Sequence, residues 1–372
     1  MSSSPETEKA SAGSPSSPDD LLPAVQPPSA GFLLQLFLIP LMIVGIIVLV
    51  WLLFSWLASA GSEPRDLVRD LKKLNNASWQ KAVSLANQLQ DPRYDHVKDD
   101  AALAQELADV LSSELAAGQT DPARLNLRIY LCRILGEFRV TNGLDPLLVA
   151  ATQEKTPEEV TVRAAAVEAL SLLINHVGAP KMRDSVPLRQ ALLTCSQASS
   201  AGDDGERHAE LRSRAAFALG VLGGDEATER LAQLLADAYA NTRYNAATGL
   251  ARQGDRRAIP VLLEMLDPEN ADAVRLETKP SNREAKRLSV LVNGLRAAET
   301  LLLQTGEGEG DTELERVRTA IERLAQMTSP KAIGVVARDV LQTLGAARQP
   351  ATPSKPAEAS EPATSTEPAA AK

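Results

Sequence analysis

The sequence predicts an all-α fold, an α-solenoid of stacked helix pairs following a single transmembrane helix. Three observations carry this expectation. Aromatic residues make up 3% of the 372-residue chain and hydrophobic residues 44%, so Leu, Ala and Val must fill the interior, as they do between closely packed helices. The stretch from Phe32 to Ala58 contains no charge. Finally, one pattern of Arg and apolar residues recurs four times in the remainder of the chain.

Composition also excludes classes of function. The 39 Lys and Arg against 48 Asp and Glu leave a net charge of −9, which gives no general reason to expect a nucleic-acid partner. Two Cys, Cys132 and Cys195, make no disulfide framework, and three His supply little for a metal site or an acid–base pair. No cofactor is expected.

Residues 1–30 hold eight Ser and six Pro without apolar periodicity. Such a segment buries too little surface to offset its ordering entropy, so a disordered tail is expected. Residues 31–60 are expected to form the transmembrane helix. At about 1.5 Å per residue the uncharged run reaches about 40 Å against a hydrocarbon core of about 30 Å, so it must tilt, kink near Pro40 or leave a turn at the interface. Trp51 and Trp56 fall near its C-terminal end, at the level amphipathic rings prefer. The competing reading is a cleaved signal peptide, for which Ala58-Ser59-Ala60 is a suitable small-residue site. Against it, the run is too long and its front flank is acidic.

Orientation follows from the flanks. Arg65, Arg69, Lys72 and Lys73 follow the span, whereas Lys9 alone precedes it. Because Lys and Arg near a span stay in the cytoplasm, a single-pass cell-membrane protein is expected, with a cytoplasmic body and an external N-terminal tail. Glu63, Asp66 and Asp70 dilute this signal.

The body, residues 61–348, reads as amphipathic helices separated by short Gly, Pro, Asp and Asn turns. Four segments repeat one register, starting at Arg128, Arg163, Arg212 and Arg243. Three residues after each Arg stand Leu131, Ala166, Ala215 and Ala246; four after, Cys132, Val167, Ala216 and Ala247; seven after, Leu135, Leu170, Leu219 and Leu250. These offsets share one helix face. The eighth position is always small: Gly136, Ser171, Gly220 and Ala251. Partner helices lie between, at Asp145 to Leu148, Ala227 to Leu235 and Ile259 to Leu263. The intervals between successive leading Arg bracket the length of a two-helix repeat, and the widest, from Arg163 to Arg212, accommodates one long insertion. Residues 349–372, with seven Ala and five Pro, are expected to form a second disordered tail.

This register resembles the HEAT repeat family, including the HEAT-like repeats of the bilin-lyase type, whose second helix often begins Val-Arg and ends near Ala-Leu-Gly. Residues 211–224 (LRSRAAFALGVLGG) and 242–255 (TRYNAATGLARQGD) match best. The resemblance covers Leu125 to Asp267, extends to Glu284–Leu303 with a one-residue slip, and leaves Ser78–Ala117 as a capping pair and Pro330–Leu344 as the last helix. It implies a HEAT-like solenoid whose second helices line a concave side, and a leading Arg that pairs with acidic groups of neighbouring turns.

Candidate sites can be weighed against that register. Cys132 is equivalent to Val167, Ala216 and Ala247, which marks it as a core residue rather than a nucleophile. Cys195 sits in the apolar stretch Leu192 to Cys195 and reads the same way. His96, His176 and His208 lack a second ligand at i+3 or i+4. Gly223-Gly224-Asp225 lacks the ending of a phosphate loop, and Gly306 to Asp311 lacks EF-hand spacing. Asn76-Ala77-Ser78 is a glycosylation triplet on the expected cytoplasmic side.

What remains is a stripe at offsets two, five and nine from the Arg, on a face the core does not use. Its candidate partner-binding residues are Tyr130, Arg133, Glu137, Glu168, Arg214, Phe217, Asn245, Thr248 and Arg252. Phe217 and Tyr130 favour binding, since aromatics are enriched at interfaces. The expected function is a membrane-tethered scaffold, not an enzyme, that binds an unidentified protein through its concave face. The alternatives are an enzyme or subunit of the bilin-lyase type, suggested by the resemblance alone, and an assembly factor of a membrane complex.

Overall fold

A computed structural model describes residues 29–59, 63–74, 77–198, 205–306 and 311–348. Both expected tails, apart from Ser29 and Ala30, lie outside the described residues, as do Asn76 and residues 307–310. The chain divides into two units, residues 1–62 and 63–372.

In the first unit, α1 (Ala30–Ser59) is one continuous helix with Pro40 inside it. Its described side chains, Trp51 among them, are exposed. It contains Leu34–Phe54, long and apolar enough to cross a membrane by length and composition.

The second unit contains no strand among its described residues. Its helices are α2 (Pro64–Leu71), α3 (Ser78–Leu89), α4 (Ala101–Ala117), α5 (Pro122–Glu137), α6 (Leu144–Thr152), α7 (Val160–Val177), α8 (Ala179–Met182), α9 (Val186–Ser196), α10 (Gly205–Leu222), α11 (Asp225–Leu234), α12 (Ala240–Arg252), α13 (Ile259–Met265), α14 (Pro280–Thr305), α15 (Thr312–Ala325) and α16 (Lys331–Arg348). The stretch Pro157–Val177 is also apolar enough to span a membrane, but most of it is buried within this unit, mainly as α7.

Sequence chemistry sets the ends of these helices. Asp100, Asp121, Ser185 and Asp311 accept backbone N–H bonds at the starts of α4, α5, α9 and α15, the role that short oxygen-bearing side chains fill at an N-cap. The chain leaves α10 and α12 through Gly224 (φ +92°) and Gly254 (φ +70°), backbone conformations that residues with a Cβ avoid.

The helices pair as α2/α3, α4/α5, α6/α7, α9/α10, α11/α12, α13/α14 and α15/α16, and the second helices stack in order from α3 through α5, α7, α10, α12 and α14 to α16. The expected capping pair Ser78–Ala117 does not form as a pair. Instead α3 packs with α2, and α4 packs with α5. The cause is local: Val68 and Leu71 are fully buried, giving the short α2 an apolar side, while Asp91 caps a 3-10 stretch, Pro92–Asp99, that separates α3 from α4.

The repeated register explains the stacking. All the residues three, four and seven positions after the leading Arg are fully buried, from Leu131 to Leu250. The small eighth position lies where consecutive second helices meet. A Cβ on Gly136 would lie 2.8 Å from the Cα of Ala169, and one on Gly220 would lie 2.6 Å from the Cα of Gly249. Both distances are too short for any side chain, so close approach selects the small residue.

Candidate binding groove on the second-helix face

The leading arginines are absorbed into the stack. Each donates to a backbone carbonyl just ahead of its own helix: Arg128 to Gln119, Arg163 to Ala151, Arg212 to Ala198 and Arg243 to Asp237. Each also binds a carboxylate. Arg128 pairs with Glu159 at 2.8 Å, both side chains almost fully buried, and Arg163 pairs with Glu154. Arg212 grips Asp237 with two nitrogens, at 2.8 and 3.0 Å. Arg243 reaches Glu264 and Asp272, both at 2.6 Å. These residues tie loop to helix and repeat to repeat.

The cysteines are likewise interior. Burial pushes the Cys132 thiol up to about 12 and the Cys195 thiol up to about 11, so neither supplies a thiolate at neutral pH. Cys195 Sγ donates to the Ala151 carbonyl at 3.2 Å. Among the described residues, no group of three or more His, Cys, Asp or Glu is placed to hold a metal. His208 lies 3.3 Å from Glu154.

A groove of about 560 Å³ runs along α7, α10, α12 and α14, and it brings together Glu168, Arg214, Phe217, Asn245, Thr248 and Arg252 of the expected stripe. Phe217 is 37% exposed, with the Arg252 guanidinium 5.3 Å above its ring. Arg214 bridges Glu168 and Glu210, and Asn245 donates to the backbone oxygen and hydroxyl of Ser213 at 2.9 and 3.0 Å. Tyr239, whose hydroxyl bonds Glu210, is raised to about 12 by burial and by that carboxylate. These half-exposed ion pairs contribute about 0–1 kcal/mol each, so they shape the rim more than they stabilise the fold.

Tyr130, Arg133 and Glu137 lie elsewhere. Arg133 stacks on the Tyr130 ring at 5.3 Å and lines a smaller hollow of about 390 Å³ that shares Glu210 and Arg214 with the groove. Glu137 is held at the other end of α5 by Gln90, at 2.8 Å, and Lys98, at 3.5 Å. The α14 side of the groove, with Lys286, Ser289, Asn293, Arg296 and Thr300, was not anticipated. Its signal was available as polar residues at helical spacing, but the register slips there by one residue. A larger cavity of about 1250 Å³ lies between α13, α14, α15 and α16 and is flanked by Gly306, Asp311 and Ala347. Residues 307–310 and the chain after 348, next to it in sequence, lie outside the described residues.

A family model for HEAT repeats matches residues 204–279, from α10 past α13. Among solved structures, human deoxyhypusine hydroxylase in complex with glycerol aligns over 72% of this chain and 97% of its own, with 15% identity and a TM-score of 0.27. No curated protein matches the chain. The matched residues therefore carry repeats of the HEAT type, within a body that is helical among its described residues.

Proposed function

We propose that the chain is a membrane-tethered helical-repeat scaffold that binds a partner protein through the groove of α7, α10, α12 and α14. The observation that carries this reading is a contrast between two sets of residues. The repeat arginines and both cysteines are used up in packing, whereas Phe217 and Arg252 stack on each other in an open groove and remain partly exposed there. Exposed aromatic and Arg side chains in a concave site are the usual anchors of an interface. The tether is α1, an uncharged helix longer than a bilayer core is thick, and the Lys and Arg that follow it support a cytoplasmic body.

Chemical crosslinking in native membranes followed by mass spectrometry tests both parts. The chain should stay in the pellet under alkaline extraction, and added protease should spare the body in intact spheroplasts. Partner crosslinks should map to Lys286 in the groove in preference to Lys181 on α8. A chain released by alkali removes the tether, and a body joined to no other protein removes the scaffold.

A further inference from the structure

Two cations of this groove stand without an acidic partner among the described residues, although the whole chain carries −9. Glu168 and Glu210 share Arg214, and Glu299 and Asp339 share Arg296, so the acids at those two points already have a cation. Arg252 and Lys286 remain, and among the described residues neither has a carboxylate partner. The Phe217 ring holds the Arg252 guanidinium without using its donors on an acid.

We propose that the groove takes an extended acidic segment of a partner protein, with one carboxylate on Arg252 and a second on Lys286. The inference rests on the scaffold reading and adds the chemistry of the partner. A Cβ on Gly254 would lie 3.3 Å from the Cβ of Gln304, so α12 and α14 end side by side. Arg252 stands just before that point on α12, whereas Lys286 stands near the start of α14 and Gln304 near its end. At about 1.5 Å per residue the two cations are offset by roughly 20–25 Å. An extended chain covers that distance in about seven residues, which sets the spacing of its two acids. Between the cations, Thr248, Ser289 and Asn293 offer donors and acceptors to an extended backbone. A nucleic acid fits less well, because two cations neutralise only two of its phosphates and the chain's net charge repels the rest.

Fluorescence anisotropy on the full-length protein in detergent micelles tests this with three labelled probes. The first is a ten-residue peptide of Ala and Ser with two Glu seven positions apart. The second has Lys in place of both Glu, and the third is a ten-nucleotide oligouridylate. The Glu peptide should bind more weakly as salt rises, and Arg252→Glu with Lys286→Glu should weaken it about tenfold, or about 1.4 kcal/mol. Arg316→Glu, on α15, should leave binding unchanged, and the Lys peptide should not bind. Wild-type protein that ignores the Glu peptide overturns the proposal. So does a double variant of unchanged helical signal that binds it normally, or an oligouridylate that displaces it. In each of those cases a partner crosslinked in the groove leaves the scaffold reading standing, so the two can fail separately.

Discussion

At the scale of single residues, the pair Arg128–Glu159 shows what the recurring Arg does. Neither side chain reaches solvent appreciably, so removing one partner leaves a buried charge without compensation. Arg128→Ala should cost about 3–5 kcal/mol in denaturant unfolding, and Arg128→Met combined with Glu159→Leu should recover most of that loss. A single variant within about 1 kcal/mol of wild type would show the pair to be dispensable. The leading Arg was legible because it returns at a fixed place in each repeat. Its acids were not, because Glu159, Glu154, Asp237 and Glu264 stand at unrelated offsets and are found only once the chain has folded back. The same contrast holds for Arg214 in the groove, whose partners Glu168 and Glu210 the repeat register does not reveal. Asp70 gives a second prediction at this scale. Hydrogen bonds from Lys73 and Lys81 hold its carboxyl down to about 2, below the ordinary value of about 3.9. Its contribution is therefore complete above about pH 4 and fades as pH falls toward 2. Because Lys81 lies on α3 and Asp70 on α2, the half-buried Trp79 of α3 reports the loss. With Trp51 and Trp56 replaced by Phe, its emission should move to the red between about pH 4 and 2, and Asp70→Asn, which has no carboxyl to titrate there, should abolish that change.

At the scale of helices, close contact between second helices decides which positions tolerate a methyl group. Gly220 and Gly249 face each other at a distance that admits no Cβ, whereas nothing lies within 4 Å of a Cβ on Gly345 in α16. Gly220→Ala should therefore cost about 1–3 kcal/mol by forcing α10 from α12. Gly345→Ala should gain about 0.5–1 kcal/mol from helix propensity. Paired thermal melts check both, and equal shifts in the two would contradict the stacking geometry. The central helices were legible because Leu, Ala and Val recur at three, four and seven positions after the Arg. The first pair was not, because α2 has only eight residues and α3 lacks the leading Arg. On α14 a one-residue slip hid both the packing register and the polar face that completes the groove.

At the scale of the molecule, the sequence separated an apolar helix from a repeat body without ambiguity, because an uncharged run and an amphipathic register call for different surroundings. The groove was only partly legible. Its floor joins residues from Glu168 to Thr300, and adjacency between second helices is a property of the stack, not of any one segment. Glu137 illustrates the limit: it shares an offset with Arg252, yet Gln90 and Lys98 hold it at the far repeat. The central claim is that the face of α7, α10, α12 and α14 meets a protein partner at the membrane. A photoreactive benzophenone side chain placed at Thr248, inside the groove, and separately at Val186, which is 54% exposed on α9, tests this most directly in native membranes. The account predicts one discrete crosslinked partner from position 248, lost when Phe217→Ala and Arg252→Glu are added, and none from position 186. The same partner captured equally from both positions, or capture from 248 that survives the two substitutions, would contradict it.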